Sequence, residues 1–545
     1  MEVMEVMEVT AIIPMGGSHV TIRKLMSAFT SPRYPLWLQV FVLPLFLCTM
    51  HVQAGQWTIT PRVSVGEIYS DNINLDDDDK EGDLITEVTP GINIVGRSAR
   101  IDAELDYQMQ NTFFLSNSDA NSTFQQLNAN ATAEVTRNFF FVDARSRIGQ
   151  AIVSTDSTIS NNNINNAGNQ TSFYAYGVSP YIRPHFGGYA DGEFRYSLDH
   201  VRYDDDVSNS VENRFDGNLV SGRKFGPLSW SANYAYNDLS RSKASDSTYQ
   251  NADGEARYFI SRKFSFVAQA GWADNDYDTS EDIENGTYWA VGGFWQPSRY
   301  YSLEALTGDN LTTVTAGIYP GRRTSLQVTY RDREVGLNPG ETWSGTFQHR
   351  TRRTTWSASY LEDTTTQQQQ QLEEGGFAFL GVDPLTGETN PNPQPGDLVV
   401  IEPAGPITSL TNEVEERKRA SGSVGMRTGK TGLIFRVFRE QRRFLTSLRE
   451  EDTTGFSSSI NRRVAPRTNA ILSGSWQRIE DTRGSDGSGD NGDTDFWYIE
   501  TELRRQIRPR LDGMVGYSFT RQDSTGRNDD SYSENRIEAR ITAYF

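Results

Sequence analysis

The chain contains one cysteine, Cys48, which excludes a disulfide framework. Its body contains no run of roughly 18 apolar residues, so no segment there crosses a membrane as a helix. Few histidines are present: only His185, His200 and His349 follow residue 54. His185 and His349 fall at turns without cysteine or carboxylate at ligand spacing, and no nucleophile elbow, phosphate loop or zinc spacing appears. His200 precedes Asp204, Asp205 and Asp206 in a polar loop. The acidic stretches Asp76–Asp79 and Asp486–Asp493 lack the complete spacing of a calcium loop and read as solvated surface. The chain is therefore expected to be no enzyme and to need no cofactor or metal. Positive charge is also scarce. A formal net charge of −19, with no basic face, excludes nucleic acid as a partner.

The one long apolar run is Leu36–Met50, preceded by Arg23, Lys24 and Arg33 and followed by Val52-Gln53-Ala54. A basic region, a short apolar stretch and small residues at the cleavage positions make residues 1–54 a secretory leader, cut after Ala54. Pro44 interrupts the run, which argues against a helical anchor. Leu45-Phe46-Leu47 lacks the small residue that a lipidation site places before its cysteine. The repeated Met-Glu-Val opening reads as an over-extended start over residues 1–25, with Met26 the natural one.

What the chain does have is alternation. In Asn535–Phe545, residues Ile537, Ala539, Ile541, Ala543 and Phe545 share one face of a strand, and Arg536, Glu538, Arg540 and Thr542 share the other. The stretch is long enough to cross a bilayer as a tilted strand, and it ends on an aromatic residue. An open sheet edge cannot sit in lipid, so such a strand needs many partners. They are present. Ala99, Ile101, Ala103, Leu105, Tyr107 and Met109 alternate with Arg100, Asp102, Glu104, Asp106, Gln108 and Gln110, and the unit recurs to the end of the chain. A soluble core strand has no use for so many charges on one face, whereas a water-filled lumen does.

Residues 55–545 are thus expected to form an all-β, antiparallel up-and-down transmembrane barrel of about 24 strands, with a range of roughly 20 to 26. Pro90 and Pro180 fall inside strands and remove ladder hydrogen bonds, so bulges are expected there. Short turns rich in Arg and Lys alternate with long acidic loops. This predicts periplasmic turns, extracellular loops and both termini in the periplasm. Basic turns suit the phosphates of the inner leaflet, or form an electropositive mouth for an anionic polymer or a periplasmic partner. Outer-membrane lipids are one expected partner. The barrel assembly machinery is another, reading the terminus Ile541, Ala543 and Phe545.

Pore-lining candidates by alternation are Arg100, Asp102, Glu104, Asp106, Asp143, Arg145, Glu193, Arg195, Arg257, Arg536, Glu538 and Arg540. A barrel of this size has a backbone radius on the order of 24 Å. Residues 361–411 form an insertion of about fifty residues, too long for an ordinary connection. Its apolar runs Phe377–Val382 and Leu398–Ile401 leave two readings, a pore constriction and a disordered surface loop.

The opening phrase Val65-Gly66-Glu67-Ile68-Tyr69-Ser70-Asp71-Asn72-Ile73 resembles the outer-membrane β-barrels found with exopolysaccharide and PEP-CTERM sorting loci, described as EpsL-like or type-2 β-barrel porins. Val178-Ser179-Pro180-Tyr181 with Phe186-Gly187 resembles them too, as does His349-Arg350-Thr351-Arg352-Arg353-Thr354-Thr355-Trp356 followed by Tyr360. The resemblance implies an outer-membrane conduit for a secreted polysaccharide, working with a periplasmic export protein, and implies no catalytic residues. A general diffusion porin and a structural or adhesive barrel remain alternatives. A TonB-dependent receptor is disfavoured, because strands begin directly after the leader with no plug between.

Overall fold

The computed structural model describes residues 55–155, 157–165, 168–204, 207–280, 282–366, 369–370, 379–382, 389–390, 398–401, 406–482, 492–525 and 530–545. The expected leader, Asp205 and Asp206, residues 486–491 and most of the insertion lie outside them.

Twenty-four antiparallel strands pair in chain order from Gln56–Ser70 to Tyr532–Tyr544. The first and last strands then pair with each other, Val65 opposite Ile541 and Arg62 opposite Tyr544. Closure leaves no free edge, which is what lipid demands of a sheet. The expected up-and-down barrel and its strand number are both observed.

Alternation sets the two faces as read from the sequence. Val65, Val515, Ile537 and Ile541 are exposed on the outside. On the inside, Arg536 is 9% exposed and Ser518 5%. Outward aromatics bracket an apolar band: Trp289, Trp343 and Trp497 lie toward the long-loop end, and Trp57, Trp295, Tyr301 and Trp356 toward the short-turn end. Amphipathic rings suit both water–lipid boundaries. Phe456 packs on Trp476 at 5.8 Å and Trp476 on Trp497 at 5.8 Å, tying three neighbouring strands at one boundary.

Loop lengths segregate as expected. One end carries the short turns, among them Gly321-Arg322-Arg323, Arg350–Thr354, Arg427–Thr431 and Arg508–Leu511. The other carries the longest connections, including 152–170, 276–286 and 366–414. Within 366–414, Phe379–Val382, Thr389–Asn390 and Leu398–Ile401 form a small antiparallel sheet, with Leu398–Ile401 beside the barrel strand Glu450–Ala465. Of the insertion's apolar runs, Phe379–Val382 and Leu398–Ile401 are therefore strands, and Phe377 and Ala378 lie outside the described residues.

One expectation is corrected. Pro90 and Pro180 make no bulge. Pro90 faces Val63 in regular register, and pairing on its other side passes from Val88–Asn111 to Gly91–Gln108 without a shift. Pro180 faces Val142 and leaves the same kind of gap between Val178–Leu198 and Tyr181–Arg195. A missing N–H removes local bonds without adding a residue, so the register survives. The shifts occur at short-turn ends instead, as between Glu134 and Thr136 and between Gln506 and Arg508.

The two faces make a paired prediction. Val291 points outward between Trp289 and Trp295, and Gln269, on the neighbouring strand, points inward. Val291→Arg should cost the folded barrel about 2–4 kcal/mol, as a charge at the bilayer midplane does. Gln269→Arg should leave stability unchanged in the same denaturant titration. Equal effects would contradict the assigned faces.

Candidate functional site

The lumen wall is charged, and its charges are matched across strands. Asp102, Glu104 and Asp106 share the inward face of Ile101–Phe114, and Asp106 meets Arg62 at 2.7 Å. Arg195 reaches Asp143 at 2.6 Å and Glu193 at 3.4 Å, while Arg145 reaches Asp199 at 2.7 Å. Arg257 lies between Glu304 (2.6 Å) and Glu255 (3.0 Å). Arg540 joins Glu538 (2.7 Å) to Glu87 (2.9 Å), with Arg536 four residues away on the same face. All of the pore-lining candidates but one sit on the inward face of their strands. Arg100 precedes the strand beginning at Ile101 and stands at the short-turn rim.

The long-loop end of the lumen holds what sequence reasoning missed. Arg442 is 1% exposed and its partners Glu415 and Glu451 are 0% exposed. Arg442 donates through Nε and Nη2 to Glu415 Oε2 (3.0 and 2.5 Å) and through Nη1 to Glu451 Oε1 (3.0 Å). The remaining carboxylate oxygens hold incoming segments. Glu415 Oε1 accepts from Gln370 Nε2 at 2.5 Å; Glu451 Oε2 accepts from Thr155 Oγ1 and Ser409 Oγ, each at 3.2 Å. A buried ion cluster is stable only when its lone pairs and protons are used in this way.

Two segments fold into the mouth on this anchor. Residues 153–165 leave the strands Phe140–Ile152 and Gln170–Ile182 and reach the last strands of the barrel. Ile159 N donates to Gln522 Oε1 (2.8 Å), Tyr532 Oη donates to Ile159 O (2.5 Å), and Asn165 Nδ2 donates to Glu534 Oε1 (2.9 Å). Residues 406–413 run between opposite walls. Ile407 N donates to Gln477 Oε1 (2.8 Å), Leu410 N to Val153 O (3.2 Å), and Arg241 Nη1 to Asn412 O (2.6 Å). Gln477 and Arg241 belong to strands facing each other across the barrel.

Five residues of chain reach at most about 18 Å, against about 48 Å across a round barrel of this size. The walls therefore draw together here. Gln369, just beyond the strand Thr354–Thr366, donates to Glu212 on the far wall at 3.3 Å. Ile159, Ile407, Leu75, Ile479, Phe496 and Tyr532 pack into one buried apolar cluster at this mouth. Ile164 packs with Ile68, Ile73, Ile85 and Phe114, and Leu410 against Phe173 and Val201.

The sequence did carry a signal for these anchors. Ile159 and Ile164 stand alone in an Asn- and Ser-rich loop, and Glu415 and Arg442 fall on the inward parity of their strands. The other candidates lie elsewhere. His185 meets Asp191 at the exposed short-turn rim, His349 meets Thr324 (2.7 Å), and His200 faces outward on Ala190–Tyr203. No cluster of metal-ligating side chains is present among the described residues.

A closed barrel with an apolar outer band between two aromatic rings, and a charged lumen, belongs in a bacterial outer membrane. The chain is an outer-membrane β-barrel. No family model matches it, and no characterised protein matches it in sequence. Among solved structures it is similar to the FrpB iron transporter from Neisseria meningitidis, F5-1 variant (11% identity, 89% of this chain, 82% of that one, TM-score 0.44). It is similar as well to the siderophore receptor PirA from Acinetobacter baumannii (10%, 89% and 80%, TM-score 0.45). A third is OmpTdeltaL8, a loop-deletion mutant of an outer membrane protein of Vibrio cholerae (9%, 90% and 100%, TM-score 0.27).

The buried cluster predicts where the mouth gives way. Arg442→Met strands buried Glu415 and leaves Glu451 only its longer contact with Arg449 at 3.5 Å, a loss of about 3–5 kcal/mol. Hydrogen exchange should speed up in 157–165 and 407–412 while the membrane-embedded strands stay protected. Adding Glu415→Gln and Glu451→Gln should restore most of the protection. Unchanged exchange in the single variant would show that the cluster does not hold the mouth.

Proposed function

We propose that this barrel is an outer-membrane conduit for a secreted polysaccharide, shut at its extracellular mouth in the state described here. The observation that carries the reading is the combination of a wide polar lumen with a mouth closed by the barrel's own inward-folded loops. A wide pore left open leaks solutes, so a conduit that serves an occasional large polymer needs a closure that the polymer or a partner releases. A charge-matched wall suits such cargo: it is wet, yet no single charge binds strongly enough to stall a chain. The resemblance of Val65–Ile73 and His349–Trp356 to exopolysaccharide-locus barrels supports the same cargo class.

In this reading the long-loop end is extracellular and both termini are periplasmic, as loop lengths dictate for barrels of this kind. The basic rim, including Arg322, Arg323, Arg350, Arg352, Arg353, Arg462 and Arg463, then faces the inner leaflet and the periplasm. There it meets lipid phosphate and the expected periplasmic export protein.

Deleting the gene should abolish surface polysaccharide and leave the polymer in the periplasm; the full chain supplied in trans should restore it. Normal surface polysaccharide in the deletion strain would refute the export reading. For orientation, Leu115→Cys should react with a membrane-impermeant maleimide on intact cells, and Arg322→Cys should react only after lysis. The reverse pattern would invert the topology.

A further inference from the structure

One sector of the lumen wall differs from the rest. Across the strands Thr324–Arg333, Gly340–Arg350, Thr354–Thr366 and Val414–Arg427, the inward positions at mid-height are uncharged. Strand register lines these residues up in rows. Gln327 pairs with Thr346, Thr346 with Ser359, Ser359 with Ser421, and Ser421 with Phe438. A second row runs Ser325, Gln348, Ser357, Ser423. Neighbouring hydroxyls touch, Ser357 with Ser423 at 2.7 Å and Ser359 with Ser421 at 2.8 Å. Each such pair uses one proton between two hydroxyls and keeps a donor and free lone pairs for a ligand.

The rows border a cavity of about 550 Å³, roofed by Pro406 of the mouth segment. Its apolar surfaces come from Leu361, an aliphatic side chain 47% exposed to the lumen, and from the ring of Phe438. Two cations stand at its edge on the neighbouring strand positions: Arg419, bound to Glu440 at 2.5 Å, and Arg436, which follows Ser423 in the second row. Elsewhere the wall at this height is laced with ion pairs, such as Arg257 with Glu304 and Arg540 with Glu87.

We propose that the two rows form a binding track for an uncharged pyranose chain. The inference rests on the conduit reading and names its cargo more closely. Hydroxyl and amide side chains act as donor and acceptor alike, which matches sugar hydroxyls and discriminates little among them. Leu361 and Phe438 offer the apolar contact that the C–H face of a sugar ring accepts. Successive strands present a new hydroxyl about every 4.8 Å, a spacing commensurate with the repeat of a pyranose chain. Because the strands tilt by roughly 40°, the rows climb the wall obliquely toward the mouth. Each bond made there is weak in water, so the chain is held in register and still slides.

The test is equilibrium binding of labelled short glucans, galactans and mannans, with oligouronates of matched length, to the purified full-length protein in detergent. At least one neutral oligomer should bind better than every oligouronate. The double variant Ser359→Val, Ser421→Val, still heat-modifiable and therefore folded, should bind it about tenfold or more weakly, as expected for two lost hydrogen bonds. Ser421→Thr, which keeps the hydroxyl, should bind as the parent does. Equal binding by the double variant, or a preference for oligouronates, overturns the track. Failure of the wild-type chain to restore surface polysaccharide overturns the conduit reading alone, since binding is measured independently of export.

Discussion

A single buried guanidinium organises the closed end of this barrel. Arg442 pairs with both Glu415 and Glu451 where water is excluded, Arg449 adds a second cation 3.5 Å from Glu451, and the two carboxylates in turn hold Gln370, Thr155 and Ser409. Three segments from different parts of the chain thus converge on one charge. Removing ions from water costs several kcal/mol for each, so the cluster persists only while all of its hydrogen bonds are made together. That condition makes the closure cooperative. The apolar cluster around Ile159 and Ile407 supplies the non-directional part of the same closure.

This constraint explains how one molecule joins a wide sheet to a narrow mouth. Strand number fixes the wall's circumference, but nothing in a sheet fixes a round cross-section. Short tethers such as Ile407–Asn412 set how far apart opposite walls stand at the long-loop end. At the short-turn end the strands are joined by tight turns, and the rim is dense with Arg. The two ends therefore present different chemistry, a mouth tied across by hydrogen bonds and a rim dense with Arg.

Most of the barrel was legible in the sequence because its rule is local. A period of two decides which face each residue takes, and membrane closure demands that the pattern continue round the wall. Ile541 and Arg540 fell on the faces assigned to them, as did Asp143 and Arg195. Pro90 and Pro180 were misread because a missing donor was equated with an inserted residue, and only the latter shifts register. The mouth was far less legible. Its contacts join Thr155 to Glu451 and Ile407 to Gln477, and no periodicity announces a contact between residues so far apart in the chain. The isolated isoleucines of 157–165 marked anchors without naming what they anchor to. Parity placed Arg442 in the lumen but did not reveal that two carboxylates from neighbouring strands and three loop segments would meet there.

Single-channel recording in planar bilayers tests the closed mouth most directly. The wild-type barrel should stay at low conductance, and Ile159→Asp with Ile407→Asp, which puts charge into the apolar cluster while leaving the wall intact, should conduct several-fold more. A wild-type barrel already as conductive as a round pore of about 24 Å backbone radius, or a double variant that conducts no better than the parent, would contradict a lumen gated by its own loops.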